Sequence, residues 1–145
     1  MTVGQQFFEV DERLFGSKVL LYIGEKVLVY RRDGNTSFLQ HCIDLFGGAA
    51  EEGESAYDTL AREVREELGL TLPKESVVYA KKYASTLSPG TYAWFVVARL
   101  GVSAEKNIVF GDEGEDYYFM TIDDYLACTD AWSLLQERTK EYLKA

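Results

Sequence analysis

Histidine occurs once in the 145 residues, cysteine and proline twice each, and Lys plus Arg number 15 against 24 Asp plus Glu. Each scarcity closes off a class of protein. Cys42 and Cys128 are too few for a disulfide framework, and neither belongs to a CxxC pair. Both read as small buried apolar residues. The lone His41 reads as a satisfied structural group and is left out of the functional set. A net charge of -9 and a pI near 4.6 argue against a nucleic-acid polymer as partner, because neutralising phosphates needs a basic surface. If the ligand is a polyanion, cations must mediate its contact with this chain.

Long apolar runs are missing too. Stretches such as "YAWFVVA" fall far short of a membrane span. The N-terminus carries Glu9, Asp11 and Glu12 where a secretory signal needs an unbroken apolar core. The expectation is a cytoplasmic protein with no membrane partner. What is abundant points to a packed core: 47% hydrophobic and 14% aromatic residues leave little room for disorder. No repeat, low-complexity tract or linker interrupts the chain, so residues 1–145 are expected to form a single domain.

Strand composition dominates the first third. "KVLLYI" and "KVLVYRR" are separated by Gly24 and Glu25, the spacing of a tight hairpin. "DGNTS" reads as a turn and "FLQHCIDLF" as a third extended run leading to Gly47 and Gly48. From Ser55 the period becomes helical, with Ala56, Leu60, Val64 and Leu68 forming one apolar stripe. Ser55 is an N-cap candidate and Gly69 a stop. After Pro73, "SVVYAKKYAS", "TYAWFVVARL", "NIVF" and "DYYFM" are β-rich, and "DAWSLLQERTKEYLK" has the pattern of an amphipathic helix. The expected class is α+β, a mixed sheet with helices packed on it.

The helix after Ser55 is unusually acidic. Glu63, Glu66 and Glu67 stand at i, i+3 and i+4, so their carboxylates are predicted to share a patch, which is destabilising unless something cationic sits among them. A solvated surface helix could instead be laced by pairs such as Asp58 to Arg62, each worth about 0.2–0.5 kcal/mol. That reading leaves the paired glycines in front of the helix unexplained. Of the aromatics, Trp94, Tyr92 and Phe38 could stack on a base, though strand aromatics are more often core.

Spacing decides between the readings. Gly48, five residues, Glu54, seven residues, then Arg62-Glu63-Val64-Arg65-Glu66-Glu67-Leu68-Gly69-Leu70 match every defined position of the Nudix box, Gx5Ex7REUxEExGU with U a bulky aliphatic. The chain therefore resembles a Nudix hydrolase over essentially its whole length. The resemblance implies the Nudix fold, a mixed β-sheet sandwiched between α-helices. It also implies divalent-metal-dependent hydrolysis of a nucleoside diphosphate linked to another group, by water attack on phosphorus. A (deoxy)nucleoside triphosphate is the leading substrate. Nucleotide sugars, dinucleoside polyphosphates and a non-catalytic nucleotide sensor stay open as alternatives, and a homodimer is left open as well. An isoprenoid diphosphate enzyme of the same fold is disfavoured, since it normally brings a catalytic cysteine and several histidines.

Carried over by position, the metal set is the Gly47 carbonyl with Glu63, Glu66 and Glu67. Arg62 orients carboxylates, and Glu54 steadies the loop through its partner. Glu113, which precedes Gly114, matches an acid outside the box that completes the metal site or acts as base in some members. The set read as catalytic is thus Glu63, Glu66, Glu67, Arg62 and Glu113. Independently of the resemblance, clustered carboxylates with a carbonyl make a hard, all-oxygen donor set, suited to Mg2+ or Mn2+. The chain departs from many members in having Phe46 before the paired glycines, where proline is common, and Ala49 after them, where a basic residue is frequent.

Overall fold

The computed structural model describes residues 3–34, 39–111 and 114–145. Its strands are β1 (Leu14–Ile23), β2 (Lys26–Arg32), β3 (Ile43–Asp44), β4 (Phe46–Ala49), β5 (Val77–Ala84), β6 (Tyr92–Leu100) and β7 (Gly114–Met120). Its α-helices are α1 (Ala56–Leu68), α2 (Ile122–Ala127) and α3 (Ser133–Lys144). The strands form one mixed sheet: β1 runs parallel to β6, and the other pairings are antiparallel.

The sheet has a split at its centre. β1 and β2 form the expected hairpin about Gly24, whose φ is +65°, but they pair only from Leu21–Leu28 to Ile23–Lys26. Beyond that they diverge, and residues 43–49 fill the gap. Ile43 and Asp44 pair with β2, while Phe46 to Ala49 pair with β1. The continuous third strand expected from "FLQHCIDLF" is therefore broken. Leu39 and His41 adopt positive φ of 49° and 60°, which a strand does not tolerate, and pairing starts only at Ile43.

Alternation along β1 separates two cores. Val19 and Leu21 face α1 with Leu60, Val64 and Leu68, and Leu20 and Tyr22 face the other side with Tyr125 and Leu135. The sheet is thus sandwiched between helices, as expected of the Nudix fold. Each large apolar side chain so buried contributes about 1.5–3 kcal/mol relative to exposure.

Three further expectations need correction. "NIVF" forms no strand. Its backbone and that of the following Gly111 close the end of α1 instead, where Val109 N–H donates to Leu68 O at 2.9 Å and Gly111 N–H to Glu67 O at 2.7 Å. These carbonyls have no partner within the helix, so a donor from elsewhere is worth more than a strand edge. The two cysteines are half-buried rather than buried, and both are free. A short helix, α2, capped by the Thr121 hydroxyl, lies between β7 and α3 where none was expected. Among the described residues no helix is long and apolar enough to cross a membrane.

Candidate functional site

Local signals set α1 in place. The Ser55 hydroxyl accepts from Asp58 N–H at 3.0 Å and the Asp58 carboxylate accepts from Ser55 N–H at 3.1 Å, a reciprocal capping box. Gly69 ends the helix at φ +66° and donates to Arg65 O. Between these ends the helix presents two buried stripes. Ala56, Leu60, Val64 and Leu68 form the apolar one; Thr59, Glu63 and Glu67, spaced by four, form a polar one.

That polar stripe divides the acidic patch foreseen in the sequence. Glu63 and Glu67 are 6% and 7% exposed, whereas the Glu66 side chain is 52% exposed. The chain makes room for the two buried carboxylates by omitting side chains. A Cβ on Gly48 would lie 2.8 Å from Glu63 Oε1, and one on Gly111 3.2 Å from Glu67 Oε2. Gly47 has φ +140°, a backbone that other residues rarely adopt, and pairs with Lys18 across β1.

Arg62 holds this loop to the helix. Its Nε and Nη2 donate to the two oxygens of Glu54 at 2.7 and 3.1 Å, Nη1 to Glu63 Oε1 at 2.8 Å, and Nη2 also to Ala49 O at 3.0 Å. Glu66 lies at the edge of its reach, at 3.4–3.5 Å. The Glu54 carboxylate, first among its neighbours, holds the guanidinium above its ordinary pKa, and Arg62 holds the Glu54 carboxyl below its own. Glu54 also accepts from Thr59 Oγ1 and Glu51 N–H, so the loop from residue 49 to 54 is tied to the first turns of α1.

The departures from the box's usual neighbours have local reasons. Phe46 packs on Tyr30 with ring centroids 4.8 Å apart, filling the split in the sheet, and Ala49 contributes its carbonyl to Arg62. Glu113 lies outside the described residues, as does Phe38. Gly111, two positions before Glu113, is the neighbour of Glu67. Among the described residues no three His, Cys, Asp or Glu side chains are grouped so as to hold a metal ion. The donors present nevertheless suit a hard cation: they are carboxylate oxygens, two of them drawn from nine-tenths-buried residues and cradled by positions without a Cβ.

A cavity of about 350 Å3 opens on the other side of Gly47, Gly48 and Ala49. Sequence reasoning missed most of its wall. Lys18 and Arg32 both donate to Asp44 Oδ2, at 2.9 and 3.0 Å, and the Asp44 side chain is wholly buried. One carboxylate thus ties β1 to β2 across the split. Trp94, Trp132 and Leu135 form the apolar side, and Arg138 stands beside them. A signal for Arg138 existed, since it falls three residues after Leu135 on the buried stripe of α3. Trp94 is core and wall at once, with its ring on Phe7. Tyr92 is not part of the wall; Arg13 and Lys82 cover its ring.

The comparisons with known proteins agree with this fold. A MutT protein from Methanosarcina mazei Go1 superposes with a TM-score of 0.69 at 20% identity, covering 94% of this chain and all (100%) of that one. A bifunctional NMN adenylyltransferase/ADP ribose pyrophosphatase from Francisella tularensis gives 0.73 at 15% identity, over 94% of this chain and 42% of that one. The dihydroneopterin triphosphate pyrophosphohydrolase of E. coli gives 0.59 at 24% identity, over 90% and 95%. These likenesses concern the fold. No curated protein sequence matches the chain. The family model described as the NUDIX domain matches residues 16–141, a span that holds the whole box, so the chain belongs to the NUDIX domain family and is a pyrophosphohydrolase of it.

Proposed function

We propose that residues 1–145 act as a single-domain hydrolase of a nucleoside diphosphate linked to a further group, with a (deoxy)nucleoside triphosphate as the leading substrate and Mg2+, or Mn2+, as cofactor. The observation that carries this reading is the pair of buried carboxylates, Glu63 and Glu67, packed against Gly48 and Gly111 under a bound Arg62. Two acids buried one helical turn apart repel each other, and a cation bound between them would relieve that repulsion beyond what Arg62 does at Glu63. The family uses divalent metal ions on small nucleotide substrates.

In this reading Glu63, Glu66 and Glu67, with the Gly47 carbonyl and Glu113, hold the cation. When bound, it neutralises charge on the phosphate oxygens and activates water. The protein's own contributions are positional. Arg62 fixes Oε1 of Glu63, and its bonds to Glu54 and Ala49 O tie the glycine loop to α1. Glu66, at the solvent edge, leaves its carboxylate open to a cation arriving with the substrate. The cavity behind the loop receives the rest of the nucleotide, while the -9 charge of the chain makes the cation the bridge between two anions.

The names of similar structures, which include an Ap4A hydrolase from C. elegans and an ADP ribose pyrophosphatase, favour dinucleoside polyphosphates or nucleotide sugars as the second reading. A sensor that binds without cleaving is disfavoured because every box acid is in place. The test is chromatographic separation of the products formed from nucleoside triphosphates, ADP-ribose and Ap4A, each with Mg2+ and with chelator: a triphosphate yields a nucleotide with phosphate or pyrophosphate, ADP-ribose yields AMP and ribose 5-phosphate, and Ap4A yields two adenine nucleotides. Metal-dependent cleavage of a triphosphate supports the leading reading, cleavage of ADP-ribose or Ap4A alone the second. Tight binding with no cleavage of any of them refutes hydrolysis.

A further inference from the structure

The cavity wall carries a cation, Arg138, whose guanidinium the fold stacks but does not pair directly with a carboxylate. Arg138 is 8% exposed and lines the cavity. Among the described residues it makes no hydrogen bond or ion pair. Its guanidinium stacks on Tyr83, with Cζ 4.2 Å from the ring centroid, and the Glu141 charge, already engaged by Lys81 and Tyr83, acts on it more weakly. Burial pushes its pKa down. A stack occupies the face of a guanidinium and leaves its edge of N–H donors available. The donors of that edge are not sealed from the cavity, so an acceptor carried by a ligand would take the place of water there.

The neighbouring cations are not in the same position. Lys18 and Arg32 both converge on Asp44, so the acceptor a ligand brings would be met first by Arg138. Around it the wall is flat and apolar, with Trp94, Trp132, Leu87 and Leu135. The volume of about 350 Å3 falls in the range of small-molecule sites, and the cavity reaches Gly47, whose carbonyl the reading above assigns to the cation. Indole walls favour a planar ring, and a guanidinium edge favours two adjacent acceptors in the plane of that ring. A free phosphate in this place would gain nothing from the indoles.

We propose that this cavity holds the base of the nucleotide and that Arg138 is its specificity-determining residue, selecting 6-oxopurines by donating two N–H groups to ring atoms O6 and N7. Adenine keeps the N7 acceptor but sets an amino group, itself a donor, opposite the second N–H; pyrimidines have no N7. The proposal rests on the hydrolase reading for the identity of the ligand as a nucleotide, but base binding is measurable without turnover.

The experiment is titration calorimetry, in chelator, of GMP, IMP, AMP and 7-deaza-GMP into wild type, Arg138→Gln and Arg138→Lys, with kcat/KM for GTP, ITP and ATP alongside. Wild type should bind GMP and IMP alike, on the order of ten- to a hundredfold tighter than AMP, with 7-deaza-GMP weakened on the order of tenfold. Arg138→Gln should erase the difference between GMP and AMP. Arg138→Lys keeps the charge but not the paired donors, so it should lose the dependence on N7. Equal binding of GMP and AMP to wild type, binding of none of the four at millimolar concentration, or an intact preference in Arg138→Gln overturns the proposal. If Arg138→Gln does not fold, the comparison of GMP with 7-deaza-GMP on wild type decides. Base-selective binding without cleavage refutes the hydrolase reading alone; cleavage indifferent to the base refutes this proposal alone.

Discussion

Removing Arg62 tests how the site is held. Arg62→Ala strips the guanidinium from Glu54, Glu63 and Ala49 O at once. The side chains involved are mostly inside: 20% exposed for Arg62, 15% for Glu54 and 8% for Glu63. Breaking a fully buried pair by deleting one partner costs about 3–5 kcal/mol, and the residual exposure lowers this to about 2–4 kcal/mol. The helix itself gains a few tenths of a kcal/mol from alanine, too little to matter. At roughly 3 °C per kcal/mol for a chain of this size, the melting temperature should fall by about 6–12 °C.

The assay is thermal unfolding by circular dichroism in chelator, repeated with millimolar Mg2+. Carboxylates left without Arg62 should attract a cation more strongly, so the gap between variant and wild type should narrow when Mg2+ is present. Arg62→Lys keeps one charge but cannot donate to Glu54 in two places, and should lose about half as much. An Arg62→Ala variant melting within about 2 °C of wild type in chelator would refute the reasoning, because these contacts would then be too weak to hold the loop.

Other expected outcomes concern the carboxylates. Glu67→Gln and Glu66→Gln should each lower kcat/KM on the order of a hundredfold, read by phosphate release, with Glu66→Gln leaving stability in chelator within about 0.5 kcal/mol of wild type. Mg2+ or Mn2+ at about a hundred times its Kd should stabilise wild type by about 2.7 kcal/mol; an unchanged melting curve would argue against a preformed site. Glu113→Gln should lower turnover without altering the melting temperature, and full activity would remove Glu113 from the metal set.

Legibility from the sequence followed the range of each signal. The limits of α1 could be read because their causes lie within one helical turn: Ser55 with Asp58 at the start, Gly69 at the end. The bond from Arg62 to Glu54 was foreshadowed by box spacing alone, since eight positions later along the loop and helix the two side chains meet. The apolar segment at Ile108 failed for the opposite reason. Its β-forming residues were read correctly as apolar, but the unmatched carbonyls of Glu67 and Leu68, some forty positions from it, claim its backbone donors. The split between β1 and β2 was equally hidden, because it depends on Lys18, Arg32 and Asp44 meeting across three strands whose register no local pattern fixes.

This difference in range separates what the family shares from what each member selects. On the proposed reading the diphosphate and its cation are addressed chiefly by one contiguous loop and helix, Gly47 to Leu70, so most of that chemistry is written in adjacent residues. The cavity is assembled from β1, β2, β6, α3 and the segments beside them, so its character depends on residues that are distant in sequence. A single change such as an arginine on the buried stripe of α3 alters that wall while leaving the box, the two cores and the sheet order intact. Structures as alike as these can therefore carry different substrate names at 15–24% identity. On the proposal made for Arg138, its wall is where selection between substrates acts in this chain.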